Sequence, residues 1–132
     1  MRVVLDTNVL IAAFIAHGVC NELLEHCALN HDIILSSFVL DEFRSKMLTK
    51  FEFSANEVEQ AVRLMESRGF IVEPENLDAP VCRDSDDDAV IGTALAGSCD
   101  CIVTGDKDLL DLSSVFGMPI VSPSAFWELE TE

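Results

Sequence analysis

The sequence is short of positive charge. Eight Lys and Arg stand against 24 Asp and Glu in 132 residues, a formal net charge of −16 with the histidines neutral. That balance argues against a protein that grips nucleic acid through a basic face and displaces phosphate counterions with its own cations. Either the partner is basic or cations intervene. Long apolar runs are missing too. None approaches the ~20 residues that span a bilayer, and the amino terminus has no basic segment leading into an apolar core and cleavage site. The chain therefore reads as soluble and unprocessed, with no membrane association. No two cysteines have C-x-x-C spacing. The five present (Cys20, Cys27, Cys82, Cys99, Cys101) cannot all pair, and Cys99-Asp100-Cys101 is too tight for a structural zinc site. They read as reduced, mostly buried thiols of a cytoplasmic protein. Repeats, linkers and low-complexity tracts are absent, so residues 1–132 are expected to form a single domain. Its 49% hydrophobic content supplies a real core.

What is present is an alternation of short apolar runs with helical periods. Arg2-Val3-Val4-Leu5 is flanked by polar residues, the mark of a strand buried on both faces in a parallel sheet. Asp32-Ile33-Ile34-Leu35-Ser36, Phe70-Ile71-Val72, Cys101-Ile102-Val103 and Pro119-Ile120-Val121 repeat the pattern. Apolar residues fall at helical spacing from Val9 to about Ile15 and from Val19 to Leu29, with a break at Gly18. Ser37 is expected to cap a helix through Val39, Leu40, Phe43 and Leu48, and Ser54-Ala55-Asn56-Glu57 is a capping box that opens another. A helix rich in small residues follows Arg83-Asp84-Ser85-Asp86-Asp87-Asp88, and Ser122-Pro123 starts the last one. Crossovers between parallel strands are right-handed, which leaves few topologies. The expected fold is α/β: a single α/β/α sandwich with a central parallel sheet of four to five strands. Phe38, Phe43, Phe116, Phe126 and Trp127 fall at helical or turn positions and are assigned to the core rather than to base stacking.

Open α/β sheets place ligands at the carboxyl ends of their strands. Asp6 ends the first strand, Glu42 rides the helix after the second, Asp88 opens the helix before the fourth and Asp106 follows the fourth. All four are expected at one edge. Each alone reads as a helix cap or first-turn acid. Together they are carboxylates that repel one another unless a cation neutralises them. Hard oxygen ligands with room for water suit Mg²⁺ or Mn²⁺. His17, His26 and His31 lie on early helical or loop segments away from that edge and read as surface or partly buried histidines.

Leu5-Asp6-Thr7-Asn8-Val9-Leu10, Asp41-Glu42-Phe43, Arg83-Asp84 through Asp88-Ala89-Val90-Ile91 with Ala94, and Val103-Thr104-Gly105-Asp106-Lys107-Asp108-Leu109-Leu110 together resemble a PIN domain over nearly the whole chain. More narrowly, they resemble stand-alone bacterial PIN proteins regarded as toxins of toxin–antitoxin pairs, relatives of the VapC toxins. The resemblance implies a Mg²⁺- or Mn²⁺-dependent endoribonuclease with an RNA substrate, a small antitoxin partner and a homodimeric state. Carried over by position, Asp6, Glu42, Asp88 and Asp106 match the family's acidic quartet, and Asn8 and Thr104 match polar residues that line its site. Asp84 and Asp108 are secondary candidates. Ser85 stands where relatives often have Pro, which loosens the acidic loop without removing a ligand. Lys107 and Arg83 flank the acids and are the expected phosphate contacts. The implied mechanism is in-line attack of a metal-activated water on a phosphodiester, with no nucleophilic side chain.

Two enzyme or signalling alternatives fail on specific residues. A haloacid-dehalogenase-type phosphatase would need a second Asp two residues after the first, and that position is Asn8. A receiver module would need a phospho-accepting Asp after its third strand and a Lys after its fifth, where Glu73 and Ser122 stand. The rival that survives is a non-catalytic module using the same acidic edge to bind a metal or a basic protein.

Overall fold

In the computed structural model, which describes residues 1–131, strands and helices alternate along the chain as the apolar periods require. The order is β1 (Arg2–Leu5), α1 (Thr7–Ile15), α2 (Val19–Asn30), β2 (Asp32–Ser36), α3 (Ser37–Thr49), α4 (Ala55–Arg68), β3 (Gly69–Val72), α5 (Ser85–Ala96), β4 (Cys101–Val103), α6 (Lys107–Leu110), β5 (Ser114–Val115), β6 (Met118–Val121) and α7 (Pro123–Glu130). The sheet order is β3-β2-β1-β4-β6-β5. Its first five strands are parallel, and β5 runs antiparallel to β6. The five expected strands are all present. The sheet is nonetheless mixed, with six strands rather than four or five. β5 has two residues, too few for any period to show in the sequence. The turn after it carries Phe116 at φ 49° and Gly117 at φ 81°, and Phe116 is 62% exposed instead of joining the core.

Strand β1 lies at the centre because Val3, Val4 and Leu5 are apolar on both faces, and all three are fully buried. Val3 and Leu5 pack into one core with Leu10, Phe43, Val62 and Phe126. Val4 faces the other, with Ile34, Val90, Ile91, Ala94 and Leu109. Helices therefore cover both sides of the sheet. Helix α3 is capped by Ser36, not Ser37. The strand runs directly into the helix, so its last residue keeps extended geometry and its Oγ accepts from Val39 N at 3.2 Å. That hydroxyl also accepts from Thr93 Oγ1 at 2.8 Å, which ties α5 to β2 inside the core. The capping box at Ser54 and Glu57 forms as the sequence indicates.

The segment from residue 73 to 84 has no regular structure and lies across α5. Glu75 N donates to Gly92 O at 3.0 Å. A Cβ at position 92 would stand 2.2 Å from Glu75 O, so only glycine permits the crossing. Among the described residues, no single helix is long and apolar enough to cross a membrane. The five cysteines are free thiols, and burial pushes Cys27, Cys82, Cys99 and Cys101 up to about 12.

Candidate metal centre

The carboxyl ends of β1 and β4 adjoin because the two strands pair in parallel, Leu5 opposite Val103. The next residues, Asp6 and Thr104, are both buried. One Asp6 oxygen caps α1 by accepting from Thr7 N at 2.7 Å, and the other accepts from Thr104 Oγ1 at 2.7 Å. The carboxylate is thereby held in one orientation. Thr104 Oγ1 in turn accepts from Asp106 N at 2.9 Å, which fixes the start of the loop after β4. Asp106 caps α6 through Asp108 N at 2.8 Å. Capping and site formation are the same geometry here. Each carboxylate satisfies a helix amide with one edge and leaves its remaining lone pairs at the strand ends.

Asp6, Asn8, Glu42, Lys46, Asp84, Asp86, Asp87, Val90 and Asp106 line a small cleft of about 70 Å³ at this edge. Asp6, Glu42 and Asp106 meet as the sequence indicates, and Asn8 and Asp84 line the same cleft. Asp84 caps α5 by accepting from Asp86 N at 2.9 Å. Thr104 reaches the cleft through Asp6.

Asp88 does not join them. Its carboxylate accepts from Cys82 N at 2.8 Å and Val81 N at 3.3 Å, and it lines a separate recess with residues 74–80 rather than the cleft. The acid that α5 turns inward is Asp87, 8% exposed. The reason is helical phase. Val90, Ile91 and Ala94 face the sheet, and stepping back three and four residues from Val90 and Ile91 reaches Asp87. Two further charged lining residues lie outside the expected set, Asp86 beside Asp87 and Lys46 one turn beyond Glu42 on α3. Lys46 Nζ donates to Asn8 Oδ1 at 3.3 Å.

Carboxylate oxygens of Asp87, Asp106 and Asp108 lie within 4.8 Å of one another. Burial, followed by the charges of Asp106, Asp6, Asp84 and Asp108, pushes the Asp87 carboxyl up to about 6. Burial also raises Asp6, with Asp106 adding to it, against the hydrogen bonds from Thr104 and Thr7. Crowded, partly desolvated acids of this kind are relieved by a cation. An all-oxygen donor set fits Mg²⁺ or Mn²⁺ rather than a metal that seeks nitrogen or sulfur. Arg83 and Lys107 stand outside the cleft. Arg83 pairs with Asp108 at 2.8 Å and is 85% exposed, while Lys107 approaches Asp111 at 3.9 Å.

Residues 2–108 match a family model described as PIN domain. No curated protein matches the chain. Among solved structures, it is similar to the crystal structure of VapBC2 from Rickettsia felis bound to a DNA fragment from their promoter. Identity is 17%, the match covers 92% of this chain and 98% of that one, and the TM-score is 0.67. At that identity the likeness is one of fold.

Proposed function

The chain belongs to the PIN domain family, and from that premise we propose that it is a Mg²⁺- or Mn²⁺-dependent endoribonuclease, the toxin of a toxin–antitoxin pair. The observation that carries this reading is the convergence of Asp6, Asp87 and Asp106, from the end of β1, α5 and the loop after β4, on one cleft where, among the described residues, Lys46 is the one cation lining it against six carboxylates. In this assignment Asp6, Asp87 and Asp106 hold the metal, and Asp87 takes the role that the sequence order suggested for Asp88. Glu42 faces them across the cleft, and Asp108 and Asp84 supply outer carboxylates. Thr104 keeps Asp6 in its orientation, and Asn8 positions Lys46. With a divalent ion held by these carboxylates, the site would gain a Lewis acid able to activate water and to offset charge on a leaving oxygen. The cleft's rigid placement of three carboxylates on strand and helix ends is the protein's share of that chemistry. Lys107 and Arg83, at the rim, are assigned to the RNA backbone once their acidic partners release them.

The similarity to VapBC2 from Rickettsia felis supports a small antitoxin as the partner. A chain of −16 steers a basic peptide toward itself. We place its work in the cytoplasm, where free thiols stay reduced. The charge balance also favours a second reading, a metal- or protein-binding module that cleaves nothing.

A fluorescent-RNA assay separates the two. The parent protein is expected to cleave only when Mg²⁺ or Mn²⁺ is restored after EDTA, and Asp6→Asn to lose at least about a hundredfold in rate with its fold intact. Equal cleavage by parent and variant would point to a contaminating nuclease and remove the assignment. Metal-dependent melting without cleavage would establish the second reading.

A further inference from the structure

Two of the chain's three histidines meet far from the acidic cleft. His26 lies on α2, His31 follows that helix and immediately precedes β2, and Glu130 is the last residue of α7. Because β1 and β2 are parallel, a residue before β2 lies at the opposite end of the sheet from Asp6, which follows β1. His26 Nε2 is 2.5 Å from Glu130 Oε2, and His31 Nε2 meets the same oxygen. The two imidazoles and the carboxylate thus offer ligand atoms that all lie within 4.8 Å of one another. Their side chains are 28%, 10% and 24% exposed, so the cluster is sheltered but open on one side.

Packing fixes the rings before any ligand arrives. His26 lies against Trp127 with centroids 4.7 Å apart, and His31 meets Phe126 edge-on at 5.7 Å. On the outer nitrogens, His31 Nδ1 is 3.0 Å from the Met1 amino group and His26 Nδ1 is 3.3 Å from Asn30 Nδ2. Asn30 is itself anchored by donating to His26 O at 3.0 Å.

We infer that His26, His31 and Glu130 form a second metal site, specific for a nitrogen-seeking divalent ion of the Zn²⁺ class. Two imidazoles and one carboxylate are a donor set that Zn²⁺ accepts with a fourth position left to water, whereas Mg²⁺ prefers oxygen ligands alone. Without a metal, both Nε2 atoms must direct protons at one oxygen. The ion takes the two Nε2 lone pairs, and each neutral ring's single proton passes from Nε2 to Nδ1, where it donates to solvent in place of the present contacts with the Met1 amino group and Asn30 Nδ2. On a chain of −16, the added positive charge is favoured electrostatically. Occupancy would join the end of α7 to α2 across the amino-terminal edge of the sheet and leave the acidic cleft untouched.

Trp127 is the chain's single tryptophan, which makes it a built-in reporter. Metal-stripped protein is titrated with Zn²⁺ by calorimetry and with Co²⁺ by tryptophan fluorescence and visible absorption, in excess Mg²⁺ to occupy the acidic cleft. The expected result is saturable one-to-one Zn²⁺ binding with a rise in melting temperature, and quenching of Trp127 by Co²⁺ with an absorption band of nitrogen-ligated cobalt. His31→Gln and His26→Gln should each weaken binding at least tenfold and abolish the quenching, while Asp87→Asn should retain both. Glu130→Gln, which keeps the side chain's shape, covers the case in which a histidine variant unfolds. Zn²⁺ binding that survives His31→Gln but is lost in Asp87→Asn would overturn the site, as would the absence of saturable binding to the parent. Neither result depends on RNA cleavage.

Discussion

Burial and the acids around it hold the Asp87 carboxyl at about 6 in the folded protein, against 3.8 for an unperturbed Asp. Between those values the folded chain binds more protons than the unfolded one. The stabilisation from protonated Asp87 is therefore complete below about 3.8 and is lost as pH rises through about 6. Asp6 shifts in the same direction. Glu57 and Glu130, whose carboxyls are lowered, oppose this only as pH falls below their usual 4.5. In EDTA the protein is expected to melt higher at about pH 5 than at about pH 7, and Asp87→Asn should flatten that slope. Melting curves that fall steadily toward acid for both proteins would contradict it. The neighbouring acids should separate cleanly. Asp87→Asn should cut cleavage at least about a hundredfold. Asp88→Asn should leave Mg²⁺ affinity unchanged but cost about 1–3 kcal/mol through the amides of Val81 and Cys82, read by denaturant titration. Asp6 and Asp106 were legible in the sequence because each follows an apolar strand, which fixes its place. Asp87 sits in a run of three Asp, where composition is uniform and only the phase of Val90, Ile91 and Ala94 tells one acid from the next.

At the level of elements, β1, β2 and β4 were readable because burial on both faces leaves little choice of residue, whereas the apolar run of β3 lies at the sheet's edge with Phe70 and Ile71 about half exposed instead of buried as expected. β5 was not readable, since its two residues pair with β6 through a turn rather than through any pattern of their own. The cap of α3 was misplaced by one residue for a related reason: β2 and α3 share a junction with no intervening loop. The crossing of the 73–84 segment over α5 left no periodic trace, although Gly92 marks it. Gly92→Ala should force Glu75 away from the helix and destabilise the protein by about 1–3 kcal/mol or more. Chemical denaturation with unchanged stability would show that the segment moves freely. Ser54→Ala removes half of a capping box and should cost about 1 kcal/mol without affecting the cleft.

For the whole molecule, the excess of acid predicts an unusual salt response. A basic nuclease loses RNA affinity as salt rises, whereas for the proposed RNA substrate screening would relieve its repulsion from a −16 chain. At saturating Mg²⁺ the initial cleavage rate is expected to increase from low to physiological ionic strength, and a monotonic fall over a KCl series would refute this. The sheet order has a consequence in time. β1 is made first but pairs with β4, so Asp6 waits for Asp106 until roughly a hundred further residues are translated, about 5–20 s at ribosomal speed. A growing chain on the ribosome holds one edge of the cleft without the other. On the proposed nuclease reading, an inhibitor made beside the chain would have those seconds to reach the polypeptide before the cleft closes.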